Sequence, residues 1–167
     1  DPDGVPAGGV AALNGAFRAL LAAREERGTL DLEMPERRVL LDEAGRVTAV
    51  VPRARLDAHR LIEEFMVAAN VCAAEELERR RQPCMYRVHD QPSAEKLEGL
   101  RQFLETFSIS LPPAGQVHPR SFSRALEIVR GRPEEGLVHE AVLRGQSQAA
   151  YHPENIGHFG LALQRYA

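Results

Sequence analysis

The stretch that decides the fold runs from Leu56 to Asp90 and reads LDAHRLIEEFMVAANVCAAEELERRRQPCMYRVHD. Its first part predicts a long helix with one buried face, because its apolar residues fall within about 140° of arc at ~100° per residue. Pro83 ends the helical pattern, and Cys84 to Asp90 alternates as a strand does. We therefore expect this helix and strand to form the core around which the chain packs. The apolar stripe consists of Leu61, Ile62, Phe65, Met66, Ala69, Cys72 and Ala73.

Four polar residues of the predicted helix lie outside the stripe. His59, Glu63 and Asn70 group beside it, where they are expected to reach a neighbouring element. Glu63 and Glu64 are adjacent, so their carboxylates point about 100° apart on a helix. This spacing favours a solvated or ion-paired face over a pair of carboxylates for acid–base chemistry.

Upstream of the stretch, the sequence predicts one helix and a small sheet. The helix covers roughly Val10 to Arg27, and Gly28 is a suitable residue for its end. The apolar period then changes to two, which predicts strands at Leu30–Met34, Arg38–Asp42 and Val47–Val51. These strands form an antiparallel meander that leads directly into the long helix.

Downstream, the sequence predicts three more helices. Pro92 and Ser93 open the first, Pro119 opens the second, and the third covers about Glu134–Ala150. The segment Tyr151–Tyr166 is expected to form a loop and then a strand. The fold class is therefore α+β, a small antiparallel strand meander packed with about five helices.

Composition limits the function classes. The chain has 167 residues and a net charge of −3, which does not fit a protein that grips nucleic acid over a broad surface. No run of apolar residues is long enough for a transmembrane helix, and the N-terminus does not resemble a signal peptide. All but one of the 21 basic residues are arginine. This excess is explained either by the codon bias of a GC-rich genome or by selection for phosphate contacts. Cys72 and Cys84 are predicted to be free thiols rather than a disulfide.

The sequence contains no self-contained catalytic motif. The six histidines lack the spacing of a zinc site, so no metal ligand is predicted. Glycine-rich phosphate loops and a nucleophile elbow are also absent. The strand around Tyr86 is a better candidate for a binding site than these motifs, because an exposed tyrosine can stack on a nucleobase. The alternative is an edge strand whose tyrosine completes the core.

Four stretches together resemble the RNB domain of the ribonuclease II and ribonuclease R family, and the ribonuclease R branch fits better. They are AREERGTLDLEMPE, HRLIEEFMVAANVCAAE, YRVHDQPSAEKL and YHPENIGHFGLALQRYA, and they extend from about Leu20 to Ala167. The resemblance implies that residues 10–167 are an inner portion of an RNB catalytic domain. Residues 1–9 are then a linker or a cut end.

The resemblance implies a function for the parent protein. These bacterial, cytoplasmic enzymes hydrolyse single-stranded RNA from its 3′ end to nucleoside 5′-monophosphates, using Mg²⁺ held by aspartates. Tyr86 is similar to a family tyrosine near the terminal nucleotides. Gln164 stands where ribonuclease II has a glutamate that senses the ribose. His89 and His158 belong to family motifs, with structural support favoured over substrate contact.

Parts of the family pattern are missing from the sequence. It contains neither the Asp-Asp-Ala segment of the metal-binding aspartates nor the arginine-rich segment that follows HFGLAL in the family. We therefore expect no catalytic residue and no bound Mg²⁺ in this chain, and no activity when it is alone. Its expected partners are the 3′ end of single-stranded RNA, the remainder of the RNB domain and, through exposed apolar faces, another copy of itself. The alternative is a degenerate RNB-like module that binds RNA or a protein partner without catalysis.

Overall fold

A computed structural model of the protein describes residue 4 and residues 6–32 and 37–167. Within these residues the chain forms five helices and two antiparallel strand pairs, so the predicted α+β class is confirmed. Of the predicted linker at residues 1–9, residues 1–3 and 5 lie outside this description, and Gly9 already belongs to the first helix. The elements are α1 Gly9–Arg27, β1 Arg37–Leu41, β2 Val47–Pro52, α2 Asp57–Arg79, β3 Tyr86–Val88, α3 Ala94–Glu105, α4 Pro119–Val129, α5 Glu135–Gly145 and β4 Ala150–His152.

Helix α1 ends as predicted. Gly28 adopts a left-handed conformation with φ 76°, and its N–H donates to Glu25 O at 3.0 Å. Glycine adopts this conformation without steric cost, which explains the sharp end of the helix. Phe17 is the one residue of α1 that is buried, while Leu13 is exposed.

The predicted three-stranded meander is a two-stranded hairpin in the described residues. Strands β1 and β2 pair antiparallel, with Val39 opposite Val50. Leu30 is buried but lies outside any strand, and its N–H donates to Gly160 O at 2.9 Å. The prediction of a strand there is wrong because the segment bonds to a distant loop instead of to β1. Residues 33–34 of that predicted strand lie outside the described residues.

The prediction of the buried face of α2 is wrong. Ile62 and Met66 are each 57% exposed, and the buried residues of the helix are Glu64 and Ala74. Helix α1 packs against α2, and Arg24 of α1 bonds to the Glu64 carboxylate. A buried ion pair therefore determines which face of α2 is covered. Hydrophobic periodicity in the sequence does not detect such a pair.

The main hydrophobic core lies in the second half of the chain, not in the Leu56–Asp90 stretch. Helices α3, α4 and α5 pack together, and Leu104, Phe122 and Val138 are fully buried among them. A smaller cluster joins α2 to the strand β3 and consists of Ala74, Cys84, Tyr86 and Val88. The Leu56–Asp90 stretch, which was expected to form the core, therefore belongs to the smaller of the two hydrophobic clusters.

The helix starts in this half agree with the prediction, but the end of one helix and the order of elements after Tyr151 differ. Ser93 Oγ accepts a hydrogen bond from Lys96 N at 3.3 Å and caps α3, and α4 begins at Pro119. Helix α5 ends at Gly145, earlier than predicted. The expected order of loop then strand after Tyr151 is also wrong, because β4 comes first and pairs with β3.

Several large apolar side chains are exposed in the described residues. They occur on the hairpin, on α1 and on the apolar stripe of α2. No described helix combines the length and apolar character that crossing a membrane requires. Both cysteines are free, as predicted.

Candidate functional site

A cleft of about 840 Å³, the polar cleft, lies between the end of α1, the end of β3 and the start of α4. Its walls are formed by residues 26–27, 89–91, 118–121 with 124, 155–159 and 162–164. Three of the four stretches that carry the family resemblance contribute to these walls, although they are distant in sequence. The fourth stretch, on α2, does not contribute. The polar cleft is therefore the place where the family-like residues converge.

A tight loop, residues 157–163, forms one wall and is fastened to His89. The backbone N–H of His89 donates to Gly157 O at 3.0 Å, and Phe159 N–H donates to His89 O at 2.8 Å. The imidazole holds the loop as well, since Gly160 N–H donates to Nδ1 at 3.0 Å and Nε2 lies 2.8 Å from Ser147 O. His89 is buried, and both of its ring nitrogens are occupied. These contacts indicate that His89 positions the loop.

His158 lies inside the same loop and is also held in a fixed orientation. Its Nδ1 accepts a hydrogen bond from Leu161 N–H at 3.2 Å. Its ring meets the rings of His89 and Tyr166 edge to face, with centroids 5.0 and 5.5 Å away. Burial lowers the pKa of His158 to about 4, and the neighbouring His89 contributes to the shift. A neutral imidazole at pH 7 supplies hydrogen bonding and a ring surface, not positive charge.

Gln164 is exposed at the edge of the polar cleft. Its backbone is held by Asn155, whose Nδ2 donates to Gln164 O at 3.1 Å. The next residue, Arg165, pairs with Glu78 of α2 at 2.9 Å. Gln164 therefore lines the cleft from a fixed backbone, and its side-chain amide has no hydrogen bond among the described residues.

Tyr86 does not line the polar cleft. Only 8% of the residue is exposed, and its ring packs in the small cluster with Ala74 and Val88. Its hydroxyl donates to Glu78 Oε1 at 3.0 Å, and burial, followed by that hydrogen bond, raises its pKa. The ring is not presented for base stacking in this structure. The exposed aromatic ring of the sheet belongs to Tyr151 of β4, on which Arg87 stacks at 4.7 Å.

Three arginines of the polar cleft were missed as site residues by the sequence analysis. Arg27 ends α1, while Arg120 and Arg124 lie one turn apart on α4. Arg120 Nη2 donates to Glu25 O at 3.2 Å and also to Glu26 O, so it closes the end of α1. The four-residue spacing after Pro119 was the available signal, because it places two guanidinium groups on one face of a helix.

A buried ion pair fixes the end of α1 behind the cleft. Arg24 Nη1 lies 3.0 Å from Glu64 Oε1, and Arg24 Nη2 lies 3.3 Å from Asp31 Oδ1. Glu63 pairs with Arg55 on the exposed side of α2. The expectation of a solvated or ion-paired face holds for Glu63, whereas Glu64 is ion-paired but buried against α1.

The described residues contain no group of three or more His, Cys, Asp or Glu side chains that could hold a metal ion. The polar cleft contributes the carboxylates of Glu26 and Asp90, and Asp90 Oδ1 already accepts a hydrogen bond from Gln91 N at 2.7 Å. This donor set does not fit the Mg²⁺ site implied by the resemblance. We therefore assign these residues no role in metal-dependent chemistry.

The family of the chain follows from its sequence match. The model of the RNB domain matches residues 7–167, so the chain belongs to the RNB domain family. The relatives it is similar to are named ribonuclease R. The protein of Aquifex aeolicus is 44% identical over 151 residues, which is 90% of this chain and 21% of that protein. The protein of Escherichia coli is 39% identical over 155 residues, 93% of this chain and 19% of that protein.

Solved structures show the same fold. The apo form of Mycoplasma genitalium RNase R matches 99% of this chain and 27% of that chain, with a TM-score of 0.86 and 25% identity. The complex of the same protein with ribose methylated single-stranded RNA matches with a TM-score of 0.87 and 24% identity, and the match covers 99% of this chain and 27% of that chain. Yeast Ssd1, described as a pseudonuclease, matches with a TM-score of 0.64 and 15% identity, and the match covers 99% of this chain and 21% of that chain. The chain thus spans about a fifth of the curated relatives it matches.

Proposed function

We propose that the chain is part of a bacterial, cytoplasmic 3′-to-5′ exoribonuclease that hydrolyses single-stranded RNA to nucleoside 5′-monophosphates. The observation that carries the proposal is the convergence of three family-like stretches on one polar cleft. The similarity to ribonuclease R over most of the chain supports it. In this proposal the polar cleft is a wall of the channel along which the RNA strand passes.

The proposal gives different roles to the three predicted site residues. Gln164 is the direct contact, because an exposed amide can bond to a ribose 2′-OH as donor or acceptor. His89 positions the loop that leads to Gln164, since both of its ring nitrogens bond to the backbone. Tyr86 contacts the terminal nucleotides only if its ring leaves the cluster in which it is buried. Its role as a substrate contact is the least supported of the three.

The hydrolytic step is proposed to need Mg²⁺ in the longer protein. Aspartates outside this chain would hold the ions and activate water. The 167 residues alone are then expected to bind RNA without cleaving it. This division of labour fits a cleft with hydrogen-bonding and basic groups but no cluster of carboxylates among the described residues.

The test is an RNA degradation assay with two proteins. The purified chain is incubated with 5′-labelled single-stranded RNA and MgCl₂, and the products are resolved on a denaturing gel. We expect no shortening of the RNA, whereas a complete ribonuclease R from a relative degrades it. Shortening by the purified chain would show that the hydrolytic groups lie within it. In the longer enzyme, Tyr86→Ala should change the length of the final undegraded product if Tyr86 is a substrate contact.

The second candidate function is a non-catalytic RNA- or partner-binding module. The shared fold with a pseudonuclease favours it, because the fold alone does not require hydrolysis. The coding sequence upstream of Asp1 discriminates between the two. An Asp-Asp-Ala segment there supports the exoribonuclease, and a sequence without aspartates supports the binding module.

The exposed apolar side chains are proposed to pack against the remainder of the RNB domain. Ile62 and Met66 form part of an apolar face of α2 that is uncovered in the described residues. Uncovered faces of this kind promote association. We expect the isolated chain to self-associate, and sedimentation velocity at increasing concentration will show it. Ile62→Gln with Met66→Gln should shift the distribution toward monomer.

A further inference from the structure

We propose that Arg27, Arg124 and the start of α4 form a binding site for a phosphate group in the polar cleft. The inference rests on the proposed RNA function and identifies which part of the cleft receives the RNA backbone. It does not involve Tyr86, His89 or Gln164, the site residues that the family resemblance implies.

The first support is the state of Arg27. Its Nε and Nη2 are buried and have no hydrogen-bond partner among the residues that the structure describes. A buried donor without a partner destabilises a protein by about 1–3 kcal/mol, and by more when it is charged. Burial also lowers the pKa of this guanidinium, with Glu64 opposing the effect. Arg27 lines the cleft, and in the proposal its side chain rotates to bring these donors to an anion there.

The second support is the charge of the polar cleft. Arg27, Arg120 and Arg124 face the two carboxylates of Glu26 and Asp90, which leaves a formal charge of +1 in a chain of −3. Burial keeps the nearby His158 neutral at pH 7, because its pKa is lowered to about 4. The cleft is thus locally positive on a protein that is negative overall. Such a local field concentrates anions and orients an approaching polyanion.

The third support is the availability of the donors. Arg120 is engaged with the carbonyl groups at the end of α1. Arg124 is exposed and has no hydrogen bond or ion pair among the described residues. Helix α4 begins five residues earlier, at Pro119, which also lines the cleft, and the N-terminus of a helix attracts negative charge. A planar guanidinium binds a phosphate through two parallel hydrogen bonds, so the geometry suits a phosphodiester or a phosphomonoester.

Fluorescence anisotropy with a labelled ten-nucleotide oligoadenylate tests the proposal on the 167-residue chain. Arg124→Gln should weaken binding about three- to tenfold and lower the slope of log affinity against log salt by about 0.7, the value for one phosphate contact on a single strand. Arg27→Met should weaken binding similarly. The control is Arg46→Gln on the hairpin, which removes the same charge from a side chain that is 80% exposed. The control should leave the slope unchanged.

Thermal unfolding separates binding from folding. Arg27→Met removes two buried N–H donors that lack a partner among the described residues, so its melting temperature should stay equal or rise while RNA affinity falls. A structural arginine would show the opposite pattern, with lower stability and unchanged affinity, and that result would overturn the proposal. Arg124→Gln removes an exposed side chain and is expected to fold normally.

AMP and adenosine, used as thermal-shift ligands, separate this inference from the proposed function. AMP should stabilise the wild-type chain but neither variant, and adenosine should stabilise none of the three proteins. If AMP stabilises only the wild-type chain but oligoadenylate does not bind, the phosphate site is supported and the proposed RNA function is wrong. If oligoadenylate binds the wild type and both variants with the same affinity and salt slope, the RNA function stands and the phosphate site is wrong.

Discussion

The imidazole rings of His89 and His158 meet edge to face, with their centroids 5.0 Å apart, and each ring accepts a backbone N–H through Nδ1. The donors, Gly160 and Leu161, are neighbours in the loop of residues 157–163. Both acceptor bonds require an unprotonated Nδ1. The wall of the polar cleft is therefore held by two imidazoles that must be neutral at this nitrogen.

We expect the fold to lose stability as the pH falls from about 6.5 to about 4. The pKa of His158 is lowered to about 4 from an ordinary value of 6.5. In this interval the unfolded chain binds the proton and the folded chain does not, so acid favours unfolding. The contribution of His158 is fully present above about pH 6.5 and is lost below about pH 4. Urea unfolding at a series of pH values measures this loss.

His158→Asn tests whether His158 causes the loss. An asparagine can place its Oδ1 near the position of Nδ1 and accept the Leu161 N–H without titrating. The free energy of unfolding should then fall less steeply between pH 6.5 and 4 than in the wild type. His152→Asn, at an exposed position of β4, is the control and should keep the wild-type slope. Identical slopes in all three proteins would assign the acid sensitivity to other groups.

Gly160→Ala should destabilise the protein by about 1–3 kcal/mol, because a methyl group there has no room. The new Cβ would lie 2.8 Å from Nδ1 of the buried His89 ring, which is closer than real contacts allow. Gly99→Ala is the matched control, since a Cβ at this position of α3 meets nothing within 4 Å. It should stabilise the protein by about 0.5–1 kcal/mol, because alanine favours a helix. Equal effects in urea unfolding would mean that the close approach at Gly160 is not a constraint.

Local signals in the sequence predicted the local structure well. Gly28 ended α1, Ser93 capped α3 and Pro119 opened α4, as the short-range rules indicate. Each of these effects depends on backbone groups within a few residues, so no knowledge of the remaining chain was needed. Three of the four family-like stretches also converged on the polar cleft, although their meeting could not be derived from periodicity.

Long-range pairing explains the predictions that were wrong. The Leu30 segment bonds to Gly160 instead of joining the hairpin, and α2 buries Glu64 rather than Ile62. In both cases a partner far away in sequence decided which groups were covered. Arg124 was missed for the same reason, because an arginine on an exposed helix face is ordinary until α4 is placed beside the cleft.

Tyr86→Phe should lower the free energy of unfolding by about 1 kcal/mol, the usual contribution of one hydrogen bond. The lost bond joins the tyrosine hydroxyl to Glu78, which also holds Arg165. Tyr86→Ala removes the buried ring as well and should cost about 3–5 kcal/mol. Tyr151→Phe is the control, because Tyr151 is exposed, and its effect should stay within about 0.5 kcal/mol. If both phenylalanine variants behave alike in urea unfolding, the hydroxyl of Tyr86 is not a structural bond.

The buried pair of Arg24 and Glu64 is expected to show strong coupling in a double-mutant cycle. Glu64 is 5% exposed, so removing Arg24 alone leaves a buried charge with a lost partner at 3.0 Å. Arg24→Met and Glu64→Leu should each destabilise the protein by about 3–5 kcal/mol, and the double variant by much less than their sum. The control cycle uses Arg46 and Asp42, an exposed pair at 2.9 Å, whose coupling should stay below about 1 kcal/mol. A coupling for Arg24 and Glu64 no larger than that of the control would show that the packing of α1 on α2 does not depend on this ion pair.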